Sequence, residues 1–388
     1  MGKVLMACAN YWTSPFQVGS HHLARGLARA GWTVGFVSDP ISPFHWVSSP
    51  RQELSKRYDL YRTGGVWNRE RSIWTYVPGA FMTPHNKPLL RSRMVGQSWS
   101  RWTSPSLSHL ISRQGFGEVD LLYCDSPKHL SWLGAIRREK LIYRVADNAK
   151  GFSRTTPAAC AQEEELARMA DLVVYSAGTL EEYVRSLHPR QMAHLPNGVD
   201  FEHFSGGTPT VPKEYETISR PIAVYAGHLD SWFDYELLNA LAEALPHVSF
   251  VIIGGTRGAY RELRPLPNIH LLGTRPFSEL PRFLRHADVG IIPFDVAGHP
   301  QLVHNIHPLK LYEYMASGLP VVASRWKELE QIESPAILCD TAEEFTRAIS
   351  DATRQTPDRA ALVRFASQHD WSQRIDWLLE LTGACSPA

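Results

Sequence analysis

No run of apolar residues approaches the length of a membrane-spanning helix, so nothing in the sequence reads as a transmembrane segment. The apolar part of the first nine residues is also too short for a secretory leader and reads as a strand. Cysteine is scarce. The five residues, at positions 8, 124, 160, 339 and 385, are odd in number, scattered and without Cys-x-x-Cys spacing. That excludes a disulfide framework and points to reducing cytoplasm, with Cys8 and Cys124 as buried free thiols in apolar stretches. G-x-G-x-x-G and Asp-x-Asp are both missing, so neither a dinucleotide fingerprint nor a bound divalent ion is implied. Internal repeats and low-complexity tracts are absent too.

At 388 residues, 44% hydrophobic and 20% charged, the composition is that of a globular protein too long for one core and suited to two domains. The net charge of +1 conceals an asymmetry. Residues 1–205 hold 24 Lys+Arg against 17 Asp+Glu, and the remainder 16 against 22. Between Arg62 and Arg113 there are eight basic residues and a single acid, Glu70. Such a patch attracts anionic partners.

Along the chain, strand and helix patterns alternate. Lys3–Ala9 reads as a strand, the stretch through His22 as a loop feeding a helix to about Ala30, and Thr33–Ser38 as a second strand. This is the βαβ unit that opens a Rossmann-like domain, and Gly19 in its loop lets backbone approach a ligand. Strands follow over Val119–Asp125, from Lys140 to Asp147, and over Leu172–Ser176 and Gln191–Leu195, with helices over Leu130–Arg138, Glu163–Met169 and Thr179–Ser186. The turn Pro196-Asn-Gly-Val-Asp200 and a linker over 205–220 precede strands Pro221–Ala226, Ser249–Ile253, Ile269–Leu272 and Val289–Phe294. The pattern predicts an α/β protein of two doubly wound, Rossmann-like domains, 1–205 and 206–368, facing a cleft. A last helical segment over 369–388 is expected to pack back on the first domain.

One stretch organises the rest: Asn305-Ile-His-Pro-Leu-Lys310-Leu-Tyr-Glu313-Tyr-Met-Ala-Ser-Gly318-Leu-Pro320-Val-Val-Ala-Ser324. Pro308 stands where a helix begins, Leu309, Leu311, Tyr312 and Met315 recur at helical spacing, and Gly318-Leu-Pro320 ends it. A helix N-terminus favours a dianionic group. Lys310 lies in the first turn and Glu313 one turn on, on the same face. A lysine for phosphate and a carboxylate for vicinal hydroxyls suit a nucleoside diphosphate with its ribose.

These residues resemble the donor-site signature of GT-B glycosyltransferases, where a Lys or Arg and a ribose-binding Glu flank the start of such a helix. The plainer alternative is a surface Lys–Glu pair. A second likeness spans both halves. Tyr143-Arg144-Val-Ala-Asp147 resembles the Tyr-Arg-x-x-Asp of the membrane-associated glucuronosyltransferase of xanthan biosynthesis, whose aspartate is the catalytic base. In register with it, Ser176 and Glu182 match a Ser followed six residues later by Glu, and Gly227 with Phe233-Asp234 matches a donor loop ending in Phe-Asp. Pro293-Phe294 matches a Pro-Tyr, and Leu309-Lys310 a Met-Lys pair at the diphosphate. Two departures stand out. That enzyme has Gln where Glu313 stands, which brings the ribose contact closer to the larger retaining GT-B family. Retaining members usually carry a Glu eight residues earlier, where this chain has Asn305, and its loss turns the reading toward inversion.

The resemblance implies a metal-independent enzyme without other cofactors. It would move a sugar, glucuronate among the candidates, from a UDP-sugar to a lipid-linked or polysaccharide acceptor. Asp147, at the carboxyl edge of the first sheet, would be the general base; the structural alternative is a helix cap. Arg144, Glu182 and His21 would orient the acceptor or the base, against the plainer readings of a solvated Glu182 and a buried histidine. Gly19, Gly227, His228, Asp234, Thr274, Phe294, Leu309, Lys310 and Glu313 would hold the donor, the loop at Thr274 gripping the base edge through backbone. Three rivals remain: a retaining transferase, a UDP-sugar 2-epimerase of the same shape, and a non-catalytic nucleotide-sugar-binding subunit.

Residues 45–115 are the least regular part. Trp46, Trp67, Trp74, Tyr76, Phe81, Trp99 and Trp102 are interleaved with Lys87, Arg91, Arg93 and Arg101. Aromatics with cations and almost no acids suit an anionic membrane surface, which places the protein peripherally at the inner face of the cell membrane. No nucleic-acid-binding motif accompanies them. The alternative is that several of these tryptophans fill the domain core.

Overall fold

Central strands of parallel sheets are covered on both faces and therefore read as unbroken apolar runs. Val4–Cys8, Ile222–Ala226 and Val289–Ile292 are such runs, and all are buried. The computed structural model describes residues 2–48, 51–85, 87, 90–152, 155–207, 210–255 and 259–383. Cys385, the end of the last expected helical segment and part of the expected linker lie outside these.

The first unit comprises Met1–Ser14, Val18–Pro196 and Ser372–Ala388. Its strands are β1 (Lys3–Cys8), β2 (Thr33–Ser38), β3 (Val66–Trp67), β4 (Ile73–Tyr76), β5 (Glu118–Cys124), β6 (Arg137–Val145), β7 (Leu172–Tyr175) and β8 (Met192–His194). They lie in the order β3-β4-β2-β1-β5-β6-β7-β8, parallel throughout except for the β3–β4 pair at one edge. The chain leaves β1 to one side for β2 and returns to the other for β5. The strand order therefore reverses at β1/β5, the place where doubly wound sheets open a ligand crevice at their carboxyl ends. Helix α1 (Gly19–Arg29) buries Ser20, Leu23, Ala24 and Leu27, one face at helical spacing. Helix α2 (Arg51–Arg62) precedes β3, and α3 (Pro157–Met169) starts behind a Thr156 cap.

The second unit comprises Pro15–Gln17 and Asn197–Trp371. Its strands β9 (Ile222–Ala226), β10 (Ser249–Ile253), β11 (Ile269–Leu271), β12 (Val289–Ile292), β13 (Val321–Ser324) and β14 (Ile337–Cys339) form an all-parallel sheet in the order β11-β10-β9-β12-β13-β14. Here the reversal falls at β9/β12. Helix α4 (Tyr235–Ala244) follows β9, and α5 (Leu309–Ala316) joins β12 to β13. The α5 helix shows water little of itself: Leu311, Tyr312, Glu313, Tyr314, Met315 and Ala316 are all buried. Gly318, at φ 71°, turns the chain out of it. After α6 (Arg359–Ser367), α7 (Trp371–Thr382) belongs with the first unit apart from its first residue, and its Ile375 lies against the α1 backbone at Gly26.

Three expectations differ from what is observed. The units divide at 196/197, earlier than 205, because Val199 and Phe201 bond to His369 and Asp370 of the second unit. The helix expected over Leu130–Arg138 stops at Leu133 before Gly134. Arg137-Arg-Glu-Lys140 instead opens β6, paired with β5 from Glu118↔Arg137 onward. The stretch 45–115 is also regular: it holds α2, β3, β4 and short helices over Arg93–Ser98 and Leu107–Arg113. Trp74, Tyr76 and Trp99 there are wholly buried in the core, whereas Trp46 and Phe81 are exposed.

Candidate active site

In the second unit the expected donor residues gather at the carboxyl ends of β9 and β12. Lys310, in the first turn of α5, carries its ammonium 5.3 Å from the centre of the Tyr225 ring and 5.6 Å from that of Phe294. Gly227 makes this possible. A Cβ there would stand 2.2 Å from Lys310 Cε and 2.6 Å from Nζ, so any side chain would push the lysine away. Tyr314 anchors the other face of the helix, its hydroxyl accepting from the Ala226 N–H at 2.8 Å. Burial pulls the Lys310 ammonium down and pushes the Glu313 carboxyl up, and each charge opposes the other's shift. Glu313 is buried, and Lys310 is half-buried beside it. Pro308 precedes α5 without a side-chain cap.

The neighbouring loops are tied to this spot. Phe294 donates its N–H to Ser324 Oγ at 3.0 Å and bridges to Phe233, and Asp234 N–H donates to the Pro293 carbonyl at 2.9 Å. The Asp234 carboxylate, however, caps α4 through the Leu237 N–H at 2.8 Å, which engages the oxygen expected to face the donor. His228 is exposed, Nδ1 3.8 Å from Asp230, and its carbonyl accepts from the Tyr225 hydroxyl at 2.8 Å. Leu309 is half-buried at the helix start. Thr274 is exposed beyond β11, two strands away from β9.

In the first unit Asp147 stands two residues past β6, at the carboxyl edge of the sheet. Burial raises its carboxyl to about 6, with the Arg144 charge pulling the other way. The turn after β6 is capped by Asn148, whose Oδ1 accepts from the Lys150 N–H at 3.0 Å. Asp147 therefore has no capping duty, and its carboxylate accepts no hydrogen bond from the described residues. Arg144 is buried, and a Cβ on Gly19 would stand 2.7 Å from both of its Nη atoms. Glu182 is exposed in the first turn of a short helix. His21 does not reach out toward a base or acceptor. Its Nδ1 accepts from the Val18 N–H at 3.2 Å and its Nε2 donates to the Tyr11 carbonyl at 3.1 Å, while burial drops its pKa to about 4. It is a neutral brace of the loop before α1.

Two groups escaped the sequence reading. Asp125, one residue past β5, occupies the same kind of strand end as Asp147, so the positional argument applied to it equally. Its carboxylate is fully engaged, accepting from Ala9 N–H at 2.7 Å and from Ser20 Oγ. The other group lies inside the stretch already quoted. His307 donates from Nδ1 to the Glu328 carboxylate at 2.6 Å, its Nε2 lies 2.8 Å from the Tyr312 hydroxyl, and its carbonyl accepts from Asn197 Nδ2 at 2.7 Å. Trp326 Nε1 holds the Ile306 carbonyl at 2.9 Å. These contacts fix the loop that leads into α5. No local signal pairs His307 with a glutamate in the short helix Lys327–Gln331.

Residues 6–176 match the family described as the N-terminal domain of the glucuronosyltransferase GumK, and residues 220–355 match glycosyl transferases group 1. The chain is 25% identical over 236 residues to TuaH of Bacillus subtilis (strain 168), a protein named as a glycosyltransferase of teichuronic acid biosynthesis. That match takes in 57% of this chain and 59% of the relative, so it spans well under two thirds of TuaH's length. Among solved structures, sucrose-phosphate synthase of Thermosynechococcus elongatus superposes with a TM-score of 0.67 at 16% identity, covering 97% of this chain and 98% of that one. Anabaena HepE, in complex with UDP-glucose, gives 0.65 at 16% identity over 99% and 100%. At such identities the structural likeness speaks for the fold, two parallel-sheet α/β domains of GT-B type. Each half is thus matched to a glycosyltransferase family, a GumK-type N-terminal domain over residues 6–176 and group 1 glycosyl transferases over 220–355, on a fold of GT-B type.

Proposed function

We propose that this chain transfers a sugar from a UDP-sugar, UDP-glucuronate among the candidates, to a hydroxyl of a lipid-linked or saccharide acceptor. In this reading the reaction inverts the anomeric centre, needs no metal, and takes place at the inner face of the cell membrane. The observation that carries it is Lys310 laid over Gly227 beside Glu313 at the strand-order reversal of the second sheet. A cation, the amide end of α5 and a carboxylate one turn on are the groups that a diphosphate and a ribose call for. The solved HepE complexes with UDP-glucose and with UDP support the choice of nucleotide.

Lys310 and the α5 amides stabilise charge on the departing diphosphate. Asp147 takes the acceptor's proton. A carboxyl raised to about 6 is ionised at neutral pH yet has a proton affinity close to the working range, which favours general-base catalysis. Arg144 keeps it ionised. Asn305 favours inversion, since its side chain is an amide that donates to the Gln301 carbonyl at 2.8 Å where retaining relatives have a carboxylate.

The test is incubation with UDP-, GDP- and TDP-sugars and a lipid extract, followed by product identification and its anomeric configuration by NMR. An inverted glycoside formed only from a UDP-sugar is expected. A product with the donor's configuration would establish the retaining rival, and an altered nucleotide sugar without acceptor the epimerase. UDP affinity without any turnover would leave a binding subunit.

A further inference from the structure

Polar contacts converge on the loop that leads into α5, all of them from within the second unit. Lys327 donates its N–H to His304 Nδ1 at 3.3 Å, and Trp326 Nε1 donates to the Ile306 carbonyl at 2.9 Å. Asn197 Nδ2 donates to the His307 carbonyl at 2.7 Å. The His307 ring is held at both nitrogens, Nδ1 donating to the Glu328 carboxylate at 2.6 Å and Nε2 lying 2.8 Å from the Tyr312 hydroxyl. A neutral ring that donates from Nδ1 has a bare Nε2, so the Tyr312 hydroxyl donates to it. Tyr312 is itself part of α5, between Lys310 and Glu313, whereas Glu328 lies on the short helix Lys327–Gln331. The imidazole therefore ties the donor helix to an element outside it.

His307, Glu328 and Tyr312 are all buried. Taking an imidazole and a carboxylate out of water costs about what their attraction returns, so apolar side chains of similar volume would hold the loop as firmly. What buried hydrogen bonds add is a fixed distance and direction. The path from this cluster to the donor helix is stiff. Pro308, at φ −82° and ψ 117°, has a locked φ and confines the residue before it to extended backbone. A displacement of His307 is therefore passed on to Leu309 and Lys310 rather than absorbed. The tolerance there is small: a Cβ on Gly227 would stand 2.2 Å from Lys310 Cε, so the lysine already lies against backbone. A shift of about 1 Å takes an N–H···O contact out of hydrogen-bonding range.

We propose that His307 is a positioning residue for the nucleotide's diphosphate: held between Glu328 and Tyr312, it sets where the first amides of α5 and the Lys310 ammonium lie. The proposal rests on the reading of a UDP-sugar donor at α5 and adds what aims that site.

The test compares UDP, titrated calorimetrically into the full chain, with uridine, followed by ligand-observed NMR. Uridine lacks the diphosphate and reports on the rest of the nucleotide site. The combined variant His307→Leu, Tyr312→Phe, Glu328→Met removes all three polar groups together, so none is left buried alone, and it should melt at or above the wild-type temperature. It should weaken UDP at least about tenfold (1.4 kcal/mol) while uridine stays within about twofold of wild type. His307→Asn keeps an N–H for Glu328 and should hold UDP within about threefold of wild type. Asn197→Ala loosens the His307 carbonyl without touching the buried cluster, and it should weaken UDP by about threefold with uridine unchanged. UDP affinity indifferent to both the combined variant and Asn197→Ala would overturn the proposal. A loss shared equally by uridine would also overturn it, since that marks a general structural brace. Lys310→Gln in the same titrations separates the two claims. UDP sensitive to Lys310 but not to His307 sinks only the positioning role, and UDP indifferent to both sinks the donor site as well.

Discussion

Each sheet has a cation pressed onto a glycine near the crossing from its first strand to its first helix, Gly227 in the connecting loop and Gly19 as the first residue of α1. In the second unit Lys310 lies over Gly227, and in the first Arg144 lies over Gly19. In each case a carboxylate stands three residues further along, Glu313 or Asp147, raised by burial and opposed by its cation. The difference lies in what each pair is attached to. Lys310 and Glu313 sit on one helix turn and shift each other, a paired arrangement suited to holding a ligand with both phosphate and hydroxyls. Arg144 is held inside a strand while Asp147 projects past its end without a hydrogen bond from the described residues. A carboxylate left that way is available to take a proton. In the proposed reaction the same three-residue spacing would serve binding on a helix and proton transfer at a strand end.

Removing the proposed base should separate the two units most sharply. Asp147→Asn is expected to lower the transfer rate by about 10²–10⁴, measured as product formed on the acceptor, with UDP affinity within twofold or so of wild type. Substantial residual turnover would make the two carboxylates equivalent and break the comparison. Adding a methyl to each glycine sharpens it. Gly227→Ala displaces the lysine head and should weaken UDP binding by about tenfold, an overpacking cost of order 1 kcal/mol or more. Gly19→Ala displaces the arginine and should lower kcat instead, leaving UDP affinity intact; the same loss of UDP affinity in both would contradict separate roles. The pH profile comes next. With the Asp147 carboxyl at about 6, kcat/KM should fall roughly tenfold per unit below that pH as the base is protonated, and a flat profile down to pH 5 would remove Asp147 from the reaction. The smallest effect is on stability. Because folding raises this carboxyl from its ordinary value, the stability it confers is full below that value and is lost as pH rises through about 6. At pH 7.5 the Asp147→Asn variant should therefore melt at or above the wild-type temperature, and a clear fall would mark Asp147 as a structural residue.

The proposed binding half was legible because everything it needs is local. Pro308, the spacing of Leu309, Leu311 and Tyr312, and the Lys310–Glu313 interval all lie within a few residues of one another. Strand alternation likewise gave both sheets, since buried parallel strands carry their signature in their own composition. Other features depended on long-range pairing. Gly19 meets Arg144 only because the fold brings β6 near the start of α1, and His307 finds Glu328 in a short helix past β13. Arg137-Arg-Glu-Lys140 reads as the end of a helix until β5 pairs with it. Trp74 and Trp99 read as interfacial residues until their burial is seen. Asp147 and Asp125 hold equivalent strand ends, and only their partners tell them apart.

The central claim is that the nucleotide's diphosphate lodges against Lys310 and Gly227, and titration of UDP into wild type, Lys310→Gln and Asp147→Asn tests it most directly. Loss of a charged hydrogen-bonding partner of phosphate should weaken UDP by roughly 10–150-fold in Lys310→Gln, with Asp147→Asn indistinguishable from wild type. Unchanged affinity in Lys310→Gln, or a loss confined to Asp147→Asn, would place the nucleotide elsewhere and contradict the account.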